Sequence, residues 1–561
     1  MTRRESLILL AVFGAGAFLA GLELMVTAVA LPSIVADLAT WTELRRASWI
    51  INAYLLVYVV TMPLAGRLAD LWGARRLLLG ALVAFTVGST IAGAAQTLDQ
   101  LIAGRLIQGI GGGALVPVAT AAASHLFERD ARPRALGVVG ALTFLGMAAG
   151  PFAGAAILDS FHVGSAIERY GLAGTTLGGA LSPAWRYVFY LNVPIGIIAL
   201  ALAWAASTGW DTPRREGRVD VAGAVFFSAA LAAGLVGLTL VDDQLPRRLT
   251  DATYPPIWLL AAALVAIAAI VASGLRRRDP FLDPHLFGDR VFSAATLVSL
   301  LTGYALATAI IGGAVFVDRV LYGHADDQRI ALGALAGATA FGALASGFLV
   351  RHLTLRLVTL AGLVASALGL AWMATWSPST TIAAVAGGLA LYGVGFGLTV
   401  TPRSTAAVEA VGSQLFGVAA AAVTVARMIG MAIGLAVLTA YGSTTIERLS
   451  ADVYSTPDAY KAYIPADLRD RPLRDGLVVE ALEGWAAGEA ARIMVGLFLV
   501  AGAVTLVAIP PGLVLRGGSG AGRALAGTFE PVGTGDAGAG DDRPSDGHGD
   551  DLEDAETRLA L

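Results

Sequence analysis

A single carboxylate, Glu23, lies in the apolar run Gly21-Leu22-Glu23-Leu24-Met25-Val26-Thr27-Ala28-Val29-Ala30-Leu31-Pro32. An ionised acid at the middle of a bilayer costs about 2.5–3.5 kcal/mol on insertion scales, so one kept there is a functional hypothesis by default. Desolvation favours its protonated form and a nearby arginine its ionised form, and a cavity that opens and closes would alternate the two influences. That is a proton-coupling device; the plain alternative is a structural salt bridge. Arg427, in Arg427-Met428-Ile429-Gly430-Met431-Ala432-Ile433-Gly434, lies about 18 Å inside its apolar span at 1.5 Å per residue. It must face a cavity or a carboxylate, and Glu23 is the expected partner. Arg105, in Arg105-Leu106-Ile107-Gln108-Gly109-Ile110-Gly111, lies only about 6 Å inside its span. It either joins Gln108 as a cavity charge partner or snorkels outward.

These residues need helices that hold them at depth. The 561-residue chain is 56% hydrophobic and 14% charged, with a mean hydropathy of +0.71, too apolar for a soluble multidomain protein. Apolar stretches of roughly 20 residues recur along almost the whole chain. About fourteen satisfy that length rule: Leu7–Val29, Trp49–Ala65, Leu77–Ala95, Leu101–Ser124, Ala135–Leu158, Trp185–Ala205, Val221–Val241, Ile257–Gly274, Val291–Val317, Ile330–Leu349, Leu357–Trp376, Ile382–Thr401, Leu415–Tyr441 and Ala490–Val514. The expected fold class is an all-α polytopic membrane protein. The first run is too long for a removed signal peptide and stays as helix 1.

Short loops on one side carry Arg75 and Arg76; Arg129, Arg132 and Arg134; Arg214, Arg215 and Arg218; Arg276, Arg277 and Arg278; then Arg351 and Arg356. By the positive-inside rule this side and both termini are cytoplasmic, in the cell's inner or plasma membrane. The chain has no cysteine and six scattered histidines, which excludes thiolate chemistry and leaves no metal-ligand spacing. No phosphate loop or nucleophile–base set appears, so no cofactor, no metal, no nucleic-acid partner and no enzymatic activity is expected. Energy should then come from an ion gradient.

Between helices 2 and 3 lies Gly66-Arg67-Leu68-Ala69-Asp70-Leu71-Trp72-Gly73-Ala74-Arg75-Arg76. Asp70 at one helix end and Arg75 and Arg76 at the next start can pair or meet helix dipoles, favouring one carrier conformation. The pattern of Gly66, Asp70, Gly73, Arg75 and Arg76 resembles the conformational-switching loop of the major facilitator superfamily, although Leu71 and Ala74 stand where that family usually has basic residues. Helix 5 carries Gly137, Gly146, Gly150, Pro151 and Gly154, spaced G-x8-G-x3-G-P-x2-G. Small residues let helices approach closely, and the proline removes a backbone hydrogen bond. The spacing resembles the antiporter motif of drug exporters. Arg105 to Gly111 is similar to the family's helix 4 motif, and Glu23 stands where drug antiporters usually have aspartate. Trp185-Arg186-Tyr187-Val188-Phe189-Tyr190-Leu191-Asn192-Val193-Pro194-Ile195-Gly196 looks like a segment of the fourteen-helix exporters and suits an interfacial anchor.

The resemblance implies two six-helix bundles plus two inserted helices, with the substrate cavity between the bundles. Residues 1–206 would form the first bundle, 207–290 the linker pair and 291–516 the second bundle, with an ordered outer extension at about 442–487. The Gly- and Asp-rich residues 517–561 read as a disordered cytoplasmic tail. Asp318 and Arg319, ending helix 9, are a candidate outer gate or simply solvated termini. The implied function is export of hydrophobic or amphiphilic small molecules by proton antiport with alternating access. Helix 13, Asp318 and the outer extension look more particularly like mycobacterial triacylglyceride exporters, from which the chain departs at Phe144, where a glutamate would be matched. Lipid export is therefore the alternative, and a transporter-like ligand receptor a third reading. The expected partners are the substrate, protons and the bilayer, acting as a monomer, with an outer lipid-accepting partner on the lipid reading.

Overall fold

The apolar stretches become helices in a computed structural model that describes residues 2–38, 49–160, 175–214, 220–240, 255–277, 283–438 and 458–516, together with Arg169, Pro280, Val453 and Thr456. The long helices are α1 (Arg3–Leu38), α2 (Trp49–Trp72), α3 (Ala74–Ala94), α4 (Leu98–Leu126), α5 (Arg132–Ser160), α6 (Arg186–Ala206, broken at Leu191), α7 (Val221–Thr239) and α8 (Pro255–Gly274). They continue as α9 (Arg290–Arg319), α10 (Ala325–Leu349), α11 (Leu355–Met373), α12 (Ile382–Ala410), α13 (Phe416–Leu438) and α14 (Gly476–Val507). Among the described residues thirteen helices are long and apolar enough to cross a membrane, and α7 has a shorter apolar stretch, Ala222–Leu238.

Local chemistry sets many of the starts. The side chains of Thr97, Asp289, Thr354, Thr381 and Asp475 each accept a bond from a backbone N–H in the first turn of α4, α9, α11, α12 and α14, satisfying donors a helix cannot satisfy itself. The turn from α2 to α3 is a single residue, Gly73, with φ 93°, a left-handed conformation that glycine adopts without steric cost. Gly73 has no side chain to cap α3. Asp211 and Thr212, just beyond α6, do so instead, accepting from Arg75 N at 3.0 Å and Ala74 N at 2.9 Å.

Helices α1–α6 and α9–α14 form two bundles with matching internal pairs. In the first, α1 packs on α5, α2 on α4 and α3 on α4; in the second, α9 packs on α13, α10 on α12 and α11 on α12. The bundles meet through two further equivalent pairs, α5 with α10 and α2 with α13. Close approach depends on glycine. A Cβ at Gly146 would collide with the Phe18 carbonyl, and one at Gly430 with the Leu300 carbonyl. The α7–α8 hairpin touches α2 and α13, while Trp258, Leu264 and Val265 on α8 are 60–69% exposed, as expected of side chains that face lipid.

Some ends differ from the sequence reading. Helix α2 continues past Ala65 to Trp72 because Arg67 and Asp70 are buried in the structure. Helix α12 runs through Pro402 to Ala410 rather than stopping at Thr401. Helix α14 begins at Gly476, within the outer extension expected to lengthen it and ahead of the apolar span that opens at Ala490, and its 32 residues span about 48 Å, well beyond a hydrocarbon core of about 30 Å. Residues 458–475 fold against its first turns around Tyr460, Ile464, Val478 and Leu482, with the Tyr463 and Trp485 rings 4.5 Å apart. Tyr322 donates to the Glu483 carbonyl at 3.0 Å, and burial pushes its phenol up. Most of the remaining stretches 161–174 and 439–457, Arg215, Arg218 and Arg278, and the expected tail from Gly517 lie outside the described residues.

Candidate functional site

Glu23 is fully buried and held on both oxygens. Its Oε1 accepts from Thr27 Oγ1 at 2.9 Å and from Arg105 Nη1, and its Oε2 accepts from Asn192 Nδ2 at 2.6 Å. Arg105 also donates to the Ile50 carbonyl at 3.1 Å and to Gln108 Oε1 at 2.7 Å. Gln108 passes the chain on to Ser89 Oγ at 2.6 Å, and the Tyr54 ring lies 4.1 Å from the Arg105 guanidinium carbon. Five helices of the first bundle, α1, α2, α3, α4 and α6, thus supply one polar cluster. A buried pair is tolerated only when its remaining donors and acceptors are filled, as here.

This geometry corrects one expectation and decides another. Glu23 pairs with Arg105, not with Arg427, because α1 and α4 belong to the same bundle while α13 faces it across the interface. Arg105 does not snorkel; it is 1% exposed. The reading of the Trp185–Gly196 segment as an anchor is incomplete. Arg186 bonds the Gly93 carbonyl at 2.9 Å and Trp185 Nε1 donates to Asp37 at 3.1 Å, and these ties deliver Asn192 to Glu23. An asparagine just inside an apolar span was the available signal.

Arg427 is buried, and its guanidinium lies 5.5 Å from the centre of the Phe144 ring. A second buried arginine, Arg403 on α12, was missed by the sequence reading, since Pro402-Arg403-Ser404 looks like a helix end. Arg403 donates to Thr302 Oγ1 and sits 4.9 Å from the Phe396 ring centre. The Phe144 and Phe396 rings meet edge to face, with centroids 5.6 Å apart. Beside Phe144, between the bundles, lies a narrow apolar cleft of about 30 Å³ lined by Met25, Met147, Pro151, Leu306, Ile310 and Leu335 among others. That is room for about one water molecule.

At the arginine-rich end the bundles are latched. Asp70 Oδ1 and Oδ2 accept from the backbone N–H groups of Gly417 and Val418 at 2.8 and 3.0 Å, so a carboxylate of α2 caps the first turn of α13. Negative charge at a helix N-terminus meets its dipole favourably. A Cβ at Gly66 would strike the Gly417 carbonyl, which explains the glycine. Arg129 lies 3.8 Å from Glu409, and Arg132 4.8 Å from the Phe416 ring centre. Arg75 engages Asp211 through its backbone and Ser207 through its side chain at 3.0 Å, tying α3 to the end of α6 rather than to Asp70.

The helix 5 motif divides its work. Gly146 and Gly150 meet α1 at Phe18, Leu22 and Met25, Gly137 meets α10 at Ala343 across the interface, and Pro151 lines the cleft. Gly154 is buried on the same helix. Asp318 and Arg319 pair with each other at 3.0 Å on the exposed end of α9, a contact that joins no second helix. Among the described residues no group of three or more His, Asp or Glu side chains could hold a metal.

The family model of the Major Facilitator Superfamily matches residues 13–435. The chain is 32% identical over 440 residues to a triacylglyceride transporter of Mycolicibacterium hassiacum, covering 76% of this chain and 78% of that protein. It is 32% identical over 426 residues to a triacylglyceride transporter of Mycobacterium tuberculosis, covering 73% and 77%. Its fold is similar to the human organic anion transporter MFSD10, with a TM-score of 0.57 at 14% identity, covering 90% of this chain and all of that one; at that identity the likeness is one of fold alone.

Proposed function

The chain belongs to the major facilitator superfamily, a multi-pass membrane transporter, and from that premise we propose that it exports acyl-chain lipids by proton antiport with alternating access. The observation that carries the lipid reading is the relationship, over about three quarters of both chains, to proteins named triacylglyceride transporters. The apolar walls of the inter-bundle cleft support it. The arginine-rich end is the cytoplasmic end on this reading, because Arg75, Arg129, Arg132, Arg276 and Arg356 all lie there and cationic loops stay inside. Both termini are then cytoplasmic, and the Asp70 latch closes the cytoplasmic side.

In this mechanism Glu23 is the coupling group. Its carboxylate is stable while Arg105, Thr27 and Asn192 satisfy it. Water reaching the cluster from one side would allow protonation, which cancels the charge attraction to Arg105 and frees the guanidinium. Since the pair joins α1 to α4 and, through Asn192, to α6, its loss changes packing in the very helix that contacts the Gly146 and Gly150 face of α5. Release of the Asp70 cap and rocking of the bundles would complete the cycle. That Gly146–Gly150 face, with Pro151, favours a second reading, multidrug efflux.

Proteoliposomes under an imposed pH gradient separate the two. Lipid export predicts movement of a fluorescent acyl lipid, triacylglyceride or anionic, that is lost in Glu23→Gln, whereas multidrug efflux predicts gradient-driven movement of a cationic dye with little lipid transport. Undiminished gradient-driven transport by Glu23→Gln would remove Glu23 from the coupling role.

A further inference from the structure

Among the described residues, the second bundle contains positive charge that no carboxylate answers. Arg427 and Arg403 are both more than nine-tenths buried, and the Nε of each has no hydrogen-bond partner among the described residues. The acids of the neighbouring helices are already engaged: Glu23 with Arg105, Asp70 with the start of α13, and Glu409 with Arg129. What supports the two guanidiniums is aromatic, Phe144 under Arg427 and Phe396 under Arg403, with the rings in contact. Cation–π contact offsets only part of the cost of burying a cation.

Two hydroxyls close by are also unpaired. Tyr58 lies on α2, which packs on α13, and the Tyr392 ring on α12 stacks on Phe396 with centroids 6.3 Å apart; neither Oη has a hydrogen-bond partner among the described residues. The unsatisfied groups are thus two N–H donors and two O–H groups able to donate. Such a set complements the oxygens of an anion and leaves a neutral ester, which carries no charge, a poor substitute. Phe144 is also a wall of the narrow inter-bundle cleft, so the charged pair borders apolar walls along which an acyl chain would lie when the bundles part.

We infer that Arg427 and Arg403, with Tyr58 and Tyr392, form the headgroup site for an amphiphile whose polar end is an anionic carboxylate or phosphate and whose acyl tail lies along the Met25–Phe144–Pro151 walls once the bundles part and widen the cleft. This deepens the transport reading and rests on it. The favoured cargo is then a charged acyl lipid rather than a neutral triacylglyceride. The site also explains how one chain keeps a paired acid in the first bundle and unpaired cations in the second: the proton is held within the first half, and the substrate's charge is answered by the arginines of the second.

The test uses full-length protein in nanodiscs of uncharged lipid, with binding of radiolabelled oleate, oleoyl lysophosphatidate and uncharged monooleoylglycerol. Wild type should prefer at least one anionic probe over monooleoylglycerol by roughly tenfold to a hundredfold, the worth of one charged hydrogen bond. Arg427→Gln should collapse that preference, and Arg427→Lys should keep part of it. Phe144→Glu, which sets a carboxylate against Arg427, should also abolish it, and this variant retains the arginine in case Arg427→Gln fails to fold. Tighter oleate binding identifies a carboxylate headgroup, tighter lysophosphatidate a phosphate. No anionic preference in wild type, or a preference that survives both Arg427→Gln and Phe144→Glu, overturns the inference. If triacylglyceride is exported in the proteoliposome assay without any anionic preference, the headgroup site falls and lipid export stands; if only the cationic dye moves, both fall.

Discussion

The two bundles handle buried charge in opposite ways. In the first, Glu23 meets Arg105, Thr27 and Asn192, and Gln108 continues the chain to Ser89. In the second, Arg427 and Arg403 rest on phenylalanine rings with donors to spare. A satisfied pair resists disruption until a proton removes its charge. An unsatisfied pair instead waits for a ligand. The fold repeats its helix contacts across the two halves, so this difference lies in side chains rather than architecture.

The comparison breaks most sharply at Glu23. Glu23→Gln should reduce gradient-driven transport in proteoliposomes to the level of empty vesicles while leaving the protein inserted; retained transport would mean the first bundle's cluster is only structural. Stability should then separate the halves. Glu23→Ala strands the Arg105 guanidinium and should lower unfolding stability by about 3–5 kcal/mol, whereas Arg427→Met removes a charge that has no carboxylate partner and should cost less than about 1.5 kcal/mol. Thermal unfolding in detergent measures both, and equal losses would show that the arginine of the second bundle is as well paired as that of the first.

The interface between the halves gives a smaller effect. Asp70→Ala removes the cap on α13 at a cost of about 0.5–2 kcal/mol and should shift the population toward conformers open at the arginine-rich end. Because the chain has no native cysteine, spin labels on Glu128→Cys and Ser413→Cys report that opening as a longer distance component. An unchanged distance distribution would remove Asp70 from the latch. Smallest of all is Arg319→Ala. Its pair with Asp318 is solvent-exposed, so stability should move by no more than about 0.5 kcal/mol and transport should be unaffected; a large transport defect would restore that pair as a gate.

The membrane helices and several deep charges were legible in the sequence, since an acid or arginine inside an apolar run stands out. Arg403 was not, because Pro402 beside it mimics a helix end, whereas the chain continues helically to Ala410 under packing from α10 and α11. Asn192 was read as part of an interfacial anchor because its neighbours are aromatic. The Gly66–Asp70 spacing was visible, but not that Asp70 would reach the first turn of α13, 347 residues away.

By itself, then, the sequence determined the approximate number and extent of the spans and which of them carry charge, because transfer of a side chain into hydrocarbon is priced residue by residue. Only the tertiary structure decided that Arg105 rather than Arg427 answers Glu23, and that two arginines of the second bundle keep unpaired donors. Pairing depends on which helix faces turn toward each other. Those faces are set by close glycine contacts such as Gly146 against α1 and Gly430 against α9, between residues far apart in the chain.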